Sequence, residues 1–245
     1  MTKWIAGSIC VLAGAAALLS GSAIAAPPLW LQTGTGVEQD RFCNSALRAE
    51  YKEGKRVPPR LLPRDEASSR PEFARFRQDL VAAAKRRDAQ AVLQVATTDF
   101  MISGGDTGIE YLRRDLARAD TDFWDAFLKT IALGGSFGEQ GFLAPYVYTE
   151  WPVEFETPDC VAIVGRAVSL RARPDRAAEL LARLDYDIVE ELQGADTVQG
   201  WTAVRTAVGL SGYVSSDYVR SPSDYRAWFT NVGGQWRFAG FVAGD

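Results

Sequence analysis

Between Val161 and Ser221 the apolar residues of this 245-residue chain recur at strand spacing, in short runs broken by glycine and charge. Val168-Ser169-Leu170-Arg171 alternates, as do parts of Asp187–Leu192 and Gly200–Val204. Runs of four to six residues are too short for amphipathic helices, and their period of two suits half-buried strands. Leu180, Leu181 and Leu184 supply another such run, and Gly209–Val219 a further one. A segment of about 60 residues built from short strands has little room for aliphatic side chains alone. Large aromatic bodies such as Trp201 and Tyr213 supply the missing volume.

The motifs in this segment are more specific than its periodicity. Val168-Ser169-Leu170-Arg171-Ala172-Arg173-Pro174-Asp175 resembles the opening strand and turn of bacterial SH3 (SH3b) domains. Ser169 and Leu170 replace the usual pair, and Arg173 stands in the turn. Gly200-Trp201-Thr202-Ala203-Val204 resembles the family's Gly-Trp-x-x-Val strand. Gly212, Tyr213, Val214, Tyr218 and Val219 match its closing signature. The resemblance covers about a quarter of the chain and implies a small β-barrel, here bounded at 159–221. It also implies recognition of peptidoglycan or of a peptide or protein partner in the cell envelope. Trp201, Tyr213 and Tyr218 are the candidate binding residues by family position, each open between barrel core and ligand groove.

The flanking segments read differently. Residues 71–158 carry helical signals: Pro71 suits a first turn, and Phe73, Phe76, Leu80, Val81 and Ala84 share one face. Asp88 suits the cap of a second helix, Ala89–Ala96, and Ile109–Ala119 reads as another. Phe123, Phe127 and Ile131 recur at i, i+4 with Trp124 and Leu128 beside them, up to Gly134-Gly135. Ser136–Trp151 is aromatic and glycine-rich, open between lining a pocket and packing over the helices. Residues 222–245 alternate around Gly233-Gly234, a β-hairpin signal. An isolated hairpin is marginal, so it is expected to pack on the helical part. The fold class expected is α+β, with an N-terminal helical region and the C-terminal hairpin forming one domain and an SH3-like barrel set into it.

The first 25 residues read as a secretory signal peptide: Lys3, an apolar Ile5–Leu19, and Ala23-Ile24-Ala25 as a cleavage site. Residues 26–70 read as an irregular, proline-punctuated arm. Cleavage near Ala25 removes Cys10 and leaves Cys43 and Cys160, a candidate disulfide in an exported chain. The expected location is periplasmic or secreted, with no stable membrane anchor after cleavage.

Composition narrows the chemistry. There is no histidine, which excludes Ser-His-Asp and Cys-His nucleophilic centres. Carboxylates and two cysteines remain as metal ligands, so neither metal nor cofactor is expected. Net charge is −4 with both signs interspersed, which argues against nucleic acid. The leading expectation is a non-catalytic envelope-binding protein with no catalytic residue. A carboxylate-dependent wall glycan hydrolase using Asp106, Glu139 or Glu150 is an alternative, because two carboxylates suffice for that reaction. A small-ligand pocket in the α+β part, with the barrel as scaffold, is a third.

Overall fold

The structure, a computed structural model, describes residues 42–43, 48–118, 122–155, 159–193 and 198–244. The expected signal peptide, its cleavage after Ala25 and Cys10 lie outside the described residues. Among those residues, six α-helices and twelve strands form two sheets. The helices are α1 (Arg48–Lys52), α2 (Pro71–Lys85), α3 (Ala89–Val95), α4 (Ile109–Ala117), α5 (Phe123–Ala132) and α6 (Tyr146–Thr149).

The five-stranded sheet contains β1 (Ala96–Ile102), β2 (Ser136–Gly138), β3 (Gly141–Ala144), β11 (Arg226–Val232) and β12 (Gln235–Val242). Its order is β1-β12-β11-β3-β2. The hairpin β11–β12 therefore lies in the middle, with β1 parallel to β12 on one side and β3 antiparallel to β11 on the other. Aromatic side chains hold the helices to it. Phe73 of α2 lies 4.4 Å from Phe142, 4.7 Å from Trp236 and 5.6 Å from Phe229, ring centre to ring centre. Phe127 and Phe123 of α5 meet Phe238 and Phe241 at 5.1 and 5.2 Å.

This arrangement corrects the expected N-terminal helical region. Helices alternate in sequence with β1, β2 and β3, and these strands belong to the same sheet as the C-terminal hairpin. The cause is the hairpin's need for partners. Its two outer edges present unpaired backbone groups, and β1 and β3 satisfy them. Local capping follows the sequence more closely. Asp88 accepts the Ala91 N–H at 3.0 Å to start α3. Gly134 has φ +72° after α5, and a Cβ there would stand 2.6 Å from that of Asp65. Glycine thus serves both the left-handed helix end and the close passage of the arm.

The seven-stranded sheet contains β4 (Cys160–Ile163), β5 (Val168–Arg171), β6 (Leu180–Leu184), β7 (Ile188–Glu191), β8 (Trp201–Arg205), β9 (Ser211–Ser215) and β10 (Val219–Arg220). Its order is β10-β4-β7-β8-β9-β5-β6. β9 and β10 stand four places apart but are joined only by the 3-10 turn Ser216–Tyr218. Four spacings in a flat sheet cover about 19 Å. The four residue steps from Ser215 to Val219 reach at most about 14 Å. The sheet must curl. Val161, Ile163, Val168, Leu170, Leu184, Val189, Val204 and Val214, drawn from six strands, share the core it encloses.

The curl stops short of closure. Among the described residues no ladder joins β6 to β10, so the expected closed barrel is corrected to a curled open sheet. β10 is only two residues long, Val219 and Arg220, and pairs with β4 alone.

Candidate functional site

Two of the three aromatics singled out from the sequence, Trp201 and Tyr218, belong to the same end of the β8–β9 pair. Trp201 opens β8 opposite Ser215 and is half-buried. Tyr218 ends the 3-10 turn with 46 % of its surface exposed. The turn is fixed by three bonds. Val164 N–H donates to Tyr218 O at 2.9 Å, and Ser216 N–H donates to Gly200 O at 3.0 Å. The Thr202 and Ser216 hydroxyls meet at 2.9 Å. Gly165 lies beneath the Tyr218 ring: a Cβ there would approach Tyr218 Cδ1 to 3.1 Å. One face of that ring is therefore seated on backbone.

Tyr213 is different. It stands opposite Ala203 and Arg171 in the ladders and is only 4 % exposed. Of the two roles left open for it, burial favours packing, because a buried ring adds volume and little contact surface. Aromatic rings on a rigid surface can stack against a flat or apolar ligand.

The carboxylates considered for glycan hydrolysis are not brought together. Asp106 follows β1 and Glu139 lies in the β2–β3 turn, at opposite edges of the five-stranded sheet. Both are exposed. Glu150 is bound into a structural network: it accepts Arg64 Nη1 at 3.1 Å and the Ser136 hydroxyl at 2.6 Å. Arg64 also holds Glu66, whose other oxygen takes the Phe137 N–H at 2.8 Å. That backbone bond, aided by Arg64, keeps the Glu66 carboxyl below its ordinary pKa. Among the described residues no cluster of three or more acids and cysteines could hold a metal ion. No helix there is long and apolar enough to cross a membrane.

No family model matches this chain, and neither a curated protein nor a solved structure matches it.

The arm before residue 70 fastens to the outer face of the curled sheet. Cys43 is bonded to Cys160 at the start of β4, with Cα atoms 5.1 Å apart and 117 positions between them in sequence. Farther along, Leu61 N–H donates to Tyr186 O at 2.8 Å and Ile188 N–H to Pro59 O at 3.0 Å. Between these anchors Arg48 is fully buried and donates to Thr206 O at 3.2 Å and to Glu190. Glu190 also takes Arg205 through Nε at 3.0 Å and Nη2 at 2.8 Å. Sequence reading missed Arg48, because nothing local to α1 marks an arginine for burial.

A second concavity lies where the two sheets meet. It is a cleft of about 560 Å³ between α5 and the 220–225 connection from β10 to β11. Asp122, Asp125, Lys129 and Thr130 line one wall, and Arg220 and Tyr225 the other. Tyr225 stacks on Phe241 with ring centres 4.5 Å apart, which fixes the floor to β12. None of these residues was singled out as a site from the sequence.

Proposed function

We propose that this chain is an exported, non-catalytic cell-envelope protein whose SH3-like sheet recognises peptidoglycan through the Trp201–Tyr218 corner. The observation that carries the reading is that end of the sheet: a 46 % exposed tyrosine over Gly165 in a turn fixed by three hydrogen bonds, with the half-buried Trp201 at the same end of the β8–β9 pair. An exposed ring fixed in this way loses little conformational entropy on binding. The motifs around Gly200-Trp201 and Gly212-Tyr213 support the likeness to bacterial SH3 domains, as do the sharp curl and the single enclosed core. The Cys43–Cys160 bond supports an oxidising compartment, because such bonds persist outside the cytosol.

The test is co-sedimentation of the protein with purified sacculi, in parallel with Tyr218→Ala and Trp201→Ala. Saturable binding that weakens by about tenfold in both variants supports the reading; an aromatic contact of 1–3 kcal/mol predicts that scale. Absence of binding by the folded protein, or binding indifferent to both substitutions, sinks it.

A further inference from the structure

The β5–β6 and β8–β9 hairpins turn at the same end of the curled sheet. β5 runs antiparallel to β9, with Arg171 opposite Tyr213. The turn that follows β5 (172–179) therefore lies beside the turn that precedes β9 (206–210). Large apolar side chains stand exposed at both. Leu180, opposite Arg171 at the start of β6, is 43 % exposed. Val208 and Leu210 are 48 % and 37 % exposed. None of the three joins the core that the curled sheet encloses.

Cations surround them. Arg173 and Arg176 are exposed in the first turn and make no ion pair or hydrogen bond among the described residues. Arg171 donates only to Ala178 O, at 2.6 Å. Lys52, at the end of α1, lies across the second turn: a Cβ on Gly209 would stand 2.8 Å from its Cε. It too has no ion pair among the described residues. The acids of the two turns are Asp175 and Glu179. Asp175 accepts the Ala177 N–H at 2.8 Å, and neither acid pairs with a cation among the described residues. Lys55 and Arg56, farther along the arm, are matched by Glu53 and Glu50. Lys52, Arg171, Arg173 and Arg176 thus outnumber Asp175 and Glu179 around three exposed aliphatic side chains, although the whole chain carries a net charge of −4.

This mixture suits a layered partner. Apolar tips gain by leaving water, while basic side chains lay their stems on apolar groups and keep their charge in a polar layer. An anionic bilayer surface supplies both layers, acyl chains beneath lipid phosphates. A protein partner is less well matched, because a standard interface takes about 20–30 residues a side, more than two short turns supply.

We propose that this end of the sheet docks reversibly on an anionic phospholipid surface, with Leu180, Val208 and Leu210 entering the interface and Arg173, Arg176 and Lys52 meeting the phosphates. Trp201 and Ser215 pair at the opposite end of β8–β9, and Arg205 and Ser211 at this one. The four residue steps from Trp201 to Arg205 span about 14 Å. The lipid contact therefore does not rest on the peptidoglycan reading, and the two surfaces use opposite ends of one strand pair.

The probe is a vesicle of phosphatidylcholine and phosphatidylglycerol in a two-to-one ratio, sedimented with the full protein beside vesicles of phosphatidylcholine alone. Saturable binding to the anionic vesicles is expected, with little to the neutral ones. The double variant R173Q, R176Q is expected to weaken it at least tenfold, since each cation near an anionic lipid surface contributes about fivefold. The double variant L180S, V208S is expected to weaken it about tenfold. Both should keep the melting temperature, because all four side chains are exposed, and W201A should bind the vesicles as the unaltered protein does. No saturable binding to anionic vesicles by the folded protein overturns the proposal. So does equal binding to neutral vesicles, binding unaltered in both double variants, or binding lost in W201A but kept in them. A dimer in solution that L180S, V208S abolishes assigns the surface to a second copy and overturns it as well.

Discussion

Arg48, without solvent exposure, and Glu190, whose side chain is 14 % exposed, form an ion pair across 142 positions of sequence. The pair joins the arm to the outer face of β7, and Arg205 completes a triad from β8. Removing one member of a buried pair costs about 3–5 kcal/mol, because a charge is left without a counter-charge. The three positions are not equivalent. Glu190→Ala removes the carboxylate that Arg48 and Arg205 share and is expected to cost about 3–5 kcal/mol. Arg48→Ala leaves Glu190 with Arg205 and should cost less. Urea denaturation of both variants checks the order, and equal losses would contradict it.

The Cys43–Cys160 bond closes a loop of 117 positions. Loop-closure entropy assigns such a bond about 4–5 kcal/mol. The double variant Cys43→Ala, Cys160→Ala is expected to shift the denaturation midpoint down by that equivalent. Non-reducing peptide mapping of the unaltered protein should recover the two cysteines in one linked fragment. Finding them in separate fragments would refute the pairing.

Glu191 lies next to Glu190 but carries the opposite consequence. Burial, and then the nearby Asp224, raise its carboxyl above the ordinary pKa. A folded pKa above the unfolded one means that protonation favours the fold. The contribution is complete below the unfolded pKa and is lost as pH rises through the folded value. At neutral pH the charged form is therefore a liability, and Glu191→Gln should raise the melting temperature. The gain should vanish at acidic pH, where both proteins carry a neutral group. Thermal melts at pH 7 and pH 3 check this, and a stabilisation that persists unchanged at pH 3 would contradict it.

Tyr146 is 1 % exposed, and its hydroxyl has no hydrogen-bond partner among the described residues. Burial, with Tyr186 adding to it, pushes the phenol up to about 12. A buried donor without an acceptor costs roughly 1–3 kcal/mol. Tyr146→Phe removes that cost while keeping the ring, so it should be neutral or stabilising by about 1 kcal/mol. Chemical denaturation reads it, and a loss above 1 kcal/mol would mean that the hydroxyl is satisfied.

Much of the secondary structure was legible because its causes are local. Pro71 opens α2, Asp88 caps α3, Gly134 follows α5, and Gly233-Gly234 turns the β11–β12 hairpin. β1 was not legible. Thr97, Thr98 and Asp99 interrupt its apolar pattern, and what makes it a strand is a parallel neighbour near the other end of the chain. Of the candidate binding residues, Trp201 and Tyr213 share one face of the β8–β9 pair, yet the first is half-buried and the second 4 % exposed, a difference of covering that a motif does not encode. The cleft was hidden for a different reason: Lys129 and Arg220, 91 positions apart, line one space only in the folded chain.

The parallel pairing of β1 with β12 also joins segments far apart in sequence. Ala243 N–H closes on the Ser103 hydroxyl across 140 positions of sequence, and Gln94 O receives Arg237 across 143. Everything between them, the curled sheet included, must already lie in place or out of the way when this edge forms. Contacts so distant in sequence are slow to find. As the chain is made, α5 precedes β12, the strand whose Phe238 and Phe241 its aromatic face meets. For that interval Phe123 and Phe127 lack the strand they cover, and they are a surface that a holding chaperone would meet.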